Sequence, residues 1–125
     1  MSRIDPPRIP RKVLLTIDDQ RVAARFDLTT EVVVATIQAP GAVVRERTVV
    51  LPHASAEELC HLVVTEAADV VVCGGIEEEY HQYLSWKRVR VIDSVLGPWR
   101  PALLRASLGD LEPVTNLDRS EDVTE

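Results

Sequence analysis

Most of what would mark a secreted, membrane-spanning or nucleotide-binding protein is missing from this chain. It has two cysteines, Cys60 and Cys73, in 125 residues. That is too few for a disulfide framework, so a reducing cytoplasm is the expected setting. No apolar run approaches the roughly 18 residues of a membrane span. Met1 to Pro10 holds arginines and prolines but no apolar core of a secretory signal. There is no G-x-G-x-x-G and no phosphate-binding P-loop pattern. Four ligands at zinc-finger spacing are also lacking, as is a Ser/His/Asp or Cys/His catalytic signature.

What is present is ordinary for one globular domain: 46% hydrophobic and 27% charged residues, enough for a real core. The formal charge of −6 is concentrated at one end, where Asp110 to Glu125 contains six acids against Arg119 alone. At the other end Arg3, Arg8, Arg11 and Lys12 face only Asp5. Two oppositely charged ends on a balanced body are not a nucleic-acid-binding surface. Pro6, Pro7 and Pro10 bar a helix in the basic end. The expected organisation is a basic leader over 1–11, a domain over 12–109 and an acidic flexible tail over 110–125.

Along the chain, Lys12 to Ile17 reads as a strand ending in the polar turn Asp18-Asp19-Gln20. Val22 to Phe26 is a short extended piece or part of a wide loop. Glu31 to Gln38 and Val43 to Leu51 form a hairpin around Pro40-Gly41, its second strand toward a sheet edge. Ser55 and Glu58 make a capping box for a helix running to about Ala68. Val70-Val71-Val72 is a buried strand that breaks on Cys73-Gly74-Gly75, followed by a helix over Glu77–Trp86. Val89 to Ile92 is the last strand, and a helix from Arg100 to about Leu108 stops at Gly109. The order β-β-β-α-β-α-β-α predicts an α/β, three-layer, ribonuclease H-like fold with a mixed five-stranded sheet and helices on its faces.

In such a fold one sheet edge collects Asp18-Asp19, Arg25 to Thr30, Pro52-His53, Cys73-Gly74-Gly75 and Asp93-Ser94. Ligands bind at that carboxyl edge in open α/β sheets. Cys73 and His53 are a soft-metal pair by chemistry, although a free cysteine ending a strand is often simply a buried small hydrophobe. His61 and His81 read as surface or packing residues on helices. Gly74-Gly75 resembles a phosphate cradle, but Glu77-Glu78-Glu79 in the following turn would repel an anion. The same carboxylates oppose a lowered Cys73 pKa. Asp18, Asp19 and Asp93 could chelate a hard cation, yet a two-metal nuclease needs an acid inside the first strand, and Val13 to Ile17 has none.

Four segments resemble the nitrogenase iron–molybdenum-cofactor biosynthesis family, its small carrier proteins and the C-terminal domains of the radical enzyme that builds the precursor cluster. They are Lys12-Val13-Leu14-Leu15-Thr16-Ile17-Asp18-Asp19, Val22-Ala23-Ala24-Arg25-Phe26-Asp27, Ala67-Ala68-Asp69-Val70-Val71-Val72-Cys73-Gly74-Gly75-Ile76 and Val89-Arg90-Val91-Ile92. The likeness covers Lys12 to Gly109. It implies a ribonuclease H-like fold without nuclease activity that carries an iron–sulfur or molybdenum–iron–sulfur cluster. Many members have histidine-phenylalanine-glycine where this chain has Arg25-Phe26-Asp27, and an arginine pairs with an anionic cluster instead of ligating iron.

The resulting expectation is a small, non-enzymatic, cytoplasmic carrier that meets cluster donor or acceptor proteins. It binds no nucleotide, nucleic acid or membrane, and a homodimer is possible. Cys73 and His53 would be metal ligands, Arg25 and Phe26 would contact the cargo, and Gly74 and Gly75 would leave it room. The alternative is an interaction module that keeps the fold without the cluster, built on the aromatic helix of Tyr80, Tyr83 and Trp86. A divalent-metal phosphodiesterase is the third reading.

Overall fold

The computed structural model describes residues 9–118. Strand β1, Lys12–Asp18, is buried from Val13 to Ile17 on both faces, as a central strand must be. Two-residue β2, Arg21–Val22, folds back beside its end. β3, Glu31–Ala39, and β4, Ala42–Val50, form the expected hairpin, with β3 antiparallel to β1. β5, Val70–Val72, and β6, Arg90–Ile92, add in parallel on the other side. The path is therefore β4-β3-β1-β5-β6 with β2 appended. β4 is the hairpin's solvent-facing member, exposed from Val44 to Thr48.

Alternation along the strands feeds two cores. Val13, Leu15, Ile17, Val33 and Val72 face helix α3, Trp99–Ser107. Leu14, Val32, Val34, Val71 and Cys73 face helices α1, Ala56–Thr65, and α2, Glu78–Trp86. This is the three-layer mixed α/β fold expected, with six strands in the main sheet instead of five because the short β2 adds to β1. Ser55 caps α1, its hydroxyl oxygen accepting from the Glu58 N–H at 3.2 Å. The helix stops earlier than Ala68 because Ala67 turns left-handed (φ 58°) and the Ala68 N–H returns to Val63.

The domain does not end at Gly109, and the tail expected over 110–125 is ordered through Asp118. Leu111 is fully buried in the α3-side core. Strand β7, Val95–Leu96, pairs in parallel with β8, Thr115–Asn116. Asp118 then takes a two-pronged ion pair from Arg21, at 2.7 and 3.2 Å. Three apolar residues scattered among acids (Leu111, Val114, Leu117) carry no periodicity, so composition concealed this docking. At the other end Ile9 packs on the α3-side core, and the Arg11 N–H donates to Asp69. The leader therefore joins the domain by residue 9, and residues 1–8 and 119–125 lie outside the described residues. No described helix is long and apolar enough to cross a membrane.

Candidate functional site

Strands β1, β4, β5 and β6 point the same way, so their carboxyl ends share one edge. The turn after β5 is its centre. Cys73 donates its N–H to Ile92 O at 3.1 Å and accepts from the Val95 N–H, zipping it to the β6 exit. Its side chain is fully buried against the α1/α2 core. Burial first, and the nearby Asp93 charge second, push the thiol far above its ordinary pKa, so it is a neutral SH at physiological pH.

At Gly74 the neighbouring backbone leaves space for glycine alone. A Cβ there would clash with the carbonyl oxygens of Ala23 and Ala24 and sit 2.7 Å from the Ala24 carbonyl carbon. The room expected for a ligand is filled by the chain's own backbone. Gly75 N–H donates to Ala24 O, and Phe26 N–H donates to Gly75 O, each at 2.8 Å. Residues 23–26 thus lie across the Cys73 turn. Phe26 turns inward, 1% exposed, and its ring stands 6.4 Å from that of Tyr80. It is a core residue, and that burial withdraws it from the cargo contact expected of it.

Arg25 stays at the surface but is engaged. Its guanidinium grips Asp27 through Nε and an Nη, at 3.0 and 2.7 Å. The hydrogen bonds and charge raise the arginine and lower the aspartate. Arg25 also borders an edge cleft of about 280 Å³ shared with Asp18 and Glu31, whose carboxylates dilute any preference for anions. His53 stands on the exposed loop before α1, Nε2 3.6 Å from Glu58 Oε2. The fold therefore brings Arg25, Phe26, Gly74 and Gly75 together around a sealed Cys73. His53 has Glu58 as its polar neighbour instead of the thiol.

A different imidazole is tied to this turn. His81, on α2, lies 3.9 Å (Nε2) from Asp93 Oδ1, and its Nδ1 is 3.5 Å from Ser85 Oγ. Asp93 also accepts from Ser94 Oγ at 2.9 Å, and its backbone carbonyl holds the Val114 N–H. Ser94 is left-handed (φ 60°), a strained exit that its bond to Gly74 O helps hold. The signal for this pair was available. β5 and β6 are adjacent parallel strands, so the segments leaving their carboxyl ends are neighbours. By sequence, His81 between Tyr80 and Gln82 reads as a surface or packing residue on a helix, because its own segment shows nothing of Asp93.

Among the described residues no group of three or more His, Cys, Asp and Glu side chains is placed to hold a metal ion. An enclosed mononuclear site does not fit this edge.

No protein-family model matches the chain, and no curated protein matches it. Solved structures do. The crystal structure of PH0822 superposes with a TM-score of 0.73 at 19% identity, covering 89% of this chain and 99% of that one. A crystal structure named as a "putative dinitrogenase" from Methanocaldococcus jannaschii gives 0.68 at 18% identity, over 84% and 95%. An NMR structure under the same name, from Methanococcus jannaschii, gives 0.68 at 18%, over 87% and 97%. Near-complete coverage in both directions at such low identity establishes a shared fold.

Proposed function

We propose that this protein is a non-catalytic carrier whose cargo is an iron-containing metal–sulfur cluster, held briefly at the carboxyl edge of the sheet. The observation that carries the reading is the accessible His81–Asp93 pair beside the Cys73–Gly75 turn. The fold shared with a protein named as a "putative dinitrogenase" supports it, as does the sequence likeness to the cofactor-biosynthesis family. Resident clusters are typically held by four thiolates. Here both cysteines are buried and their thiols are raised in pKa. Such a site favours hand-over above storage. Arg25 assists by exchanging Asp27 for the anionic cargo, since exposed ion pairs are held weakly.

Neutral, buried thiols also favour binding over thiol-based catalysis. Anaerobic incubation with iron and sulfide tests the proposal. Visible absorption and iron content should appear in the wild type, fall in His81→Ala and Asp93→Asn, and persist in His53→Ala. Colourless, iron-free wild-type protein under those conditions would refute carriage. The sealed Cys73 and engaged Arg25 favour a second reading, an interaction module that binds protein partners without metal.

A further inference from the structure

A cleft of about 470 Å³ opens between the N-terminal halves of α1 and α2, on the helix side of the carboxyl edge. That volume is within the usual range for ligand clefts. Glu57, Cys60 and His61 form its α1 wall, and Glu79, Tyr80 and Tyr83 its α2 wall. Cys60, 4% exposed, belongs to the core that α1 covers. Its thiol, pushed up to about 11 by burial and by Glu57, stays neutral. Among the described residues neither Glu57 nor Glu79 takes part in an ion pair, whereas Glu46, Glu58, Glu66, Glu112 and Asp118 do. The cleft thus combines an apolar thiol, two tyrosine rings and two carboxylates without a countercharge.

At its α2 end the chemistry for a cation is already in use. Lys87 Nζ lies 5.7 Å from the Tyr83 ring centroid and 5.6 Å from that of Trp86, which is 77% exposed. No such cation stands between Glu57 and Glu79 among the described residues. We infer that this cleft docks a basic segment of a partner protein, with one arginine or lysine side chain inserted between α1 and α2. The aliphatic stem would cross Cys60 and the faces of Tyr80 and Tyr83, leaving the charged head between Glu57 and Glu79. Stem packing on the thiol and rings, and charge at the head, then act on one side chain. An acidic or neutral segment obtains only the first.

The test is NMR titration of the full chain with an acetylated, amidated pentapeptide carrying arginine at alternate positions, beside its citrulline counterpart. The arginine peptide should shift the amides of Glu57, Cys60, His61, Glu79 and Tyr83, and the citrulline peptide should bind at least fivefold more weakly. The double variant Glu57→Gln/Glu79→Gln, with melting checked by circular dichroism, should lose at least fivefold in affinity. Equal binding of both peptides, or shifts confined to the acidic residues 110–118, would overturn the inference. So would shifts at Glu57 and Glu79 on Arg3→Gln/Arg8→Gln substitution without peptide, since the chain's own basic end would then be the occupant. Concentration-dependent mass growth that Glu57→Gln/Glu79→Gln abolishes would overturn it in favour of a second copy.

Discussion

Substituting Gly74 by alanine isolates the packing of residues 23–26 over the Cys73 turn. Gly74 does not have a positive φ, so alanine meets no backbone penalty and the whole cost is steric. The added methyl would stand 2.7 Å from the Ala24 carbonyl carbon, roughly 1 Å inside an unstrained carbon–carbon contact. The atoms it meets are backbone, so no side chain can rotate away. Overpacking of this kind costs about 1–3 kcal/mol. Relief requires residues 23–26 to lift, which threatens the bonds from Gly75 N–H to Ala24 O and from Phe26 N–H to Gly75 O. Each is worth roughly 0.5–1.5 kcal/mol.

The total is about 2–6 kcal/mol, a large share of the roughly 5–15 kcal/mol that holds a domain together. Urea unfolding followed by circular dichroism measures it. The midpoint should fall without a change in slope, and Tm should drop by roughly 8–24 °C. Gly75→Ala is the control, because its Cβ would lie 3.6 Å from Ala24 O, an ordinary contact. It should cost less than about 1 kcal/mol. Equal stability of Gly74→Ala and wild type would refute the close approach, and with it the sealed state of Cys73.

Three further outcomes rest on named contacts. Leu111→Ala should destabilise by about 2–5 kcal/mol in the same urea assay, as a fully buried leucine does; no effect would restore the flexible tail. Glu66 accepts from Arg47 at 2.6 Å with Lys12 at 3.7 Å, and the first of these chiefly lowers its pKa. Its stabilisation is therefore present above the ordinary carboxylate pKa and lost as pH falls through the lowered one. Glu66→Gln should cost about 1 kcal/mol at pH 7 and converge on the wild type in acid. Both thiols are raised, so the unfolded chain ionises first and stability should decline as pH climbs above about 9. Cys60→Ala should flatten that decline, and a thiol reagent should react with the native protein only as fast as it opens.

Much of the fold was legible because its signals are local. β-branched runs marked β1, β3 and β5, the Ser55–Glu58 spacing marked the start of α1, and Pro40-Gly41 marked the hairpin. The chain order then admitted few topologies, and the carboxyl edge followed from strand direction. The site was legible in outline only. Arg25, Phe26, Gly74 and Gly75 do meet, but which side chain turns inward was not visible from spacing. Phe26 faces the core while Arg25 next to it faces water, and the short 3₁₀ turn that aims them, Phe26–Leu28, has no period to read.

Local pattern, then, determined the elements, their order and the edge on which they converge. Tertiary packing alone decided that Gly74 makes room for Ala23 and Ala24, that His81 stands by Asp93, and that Leu111 closes the α3-side core. Each of those rests on atoms from segments distant in sequence, or on opposite elements, brought to within a few ångströms. A sequence states what each residue can do; only the packed chain determines which neighbours it has, and whether the Cys73 thiol reaches water.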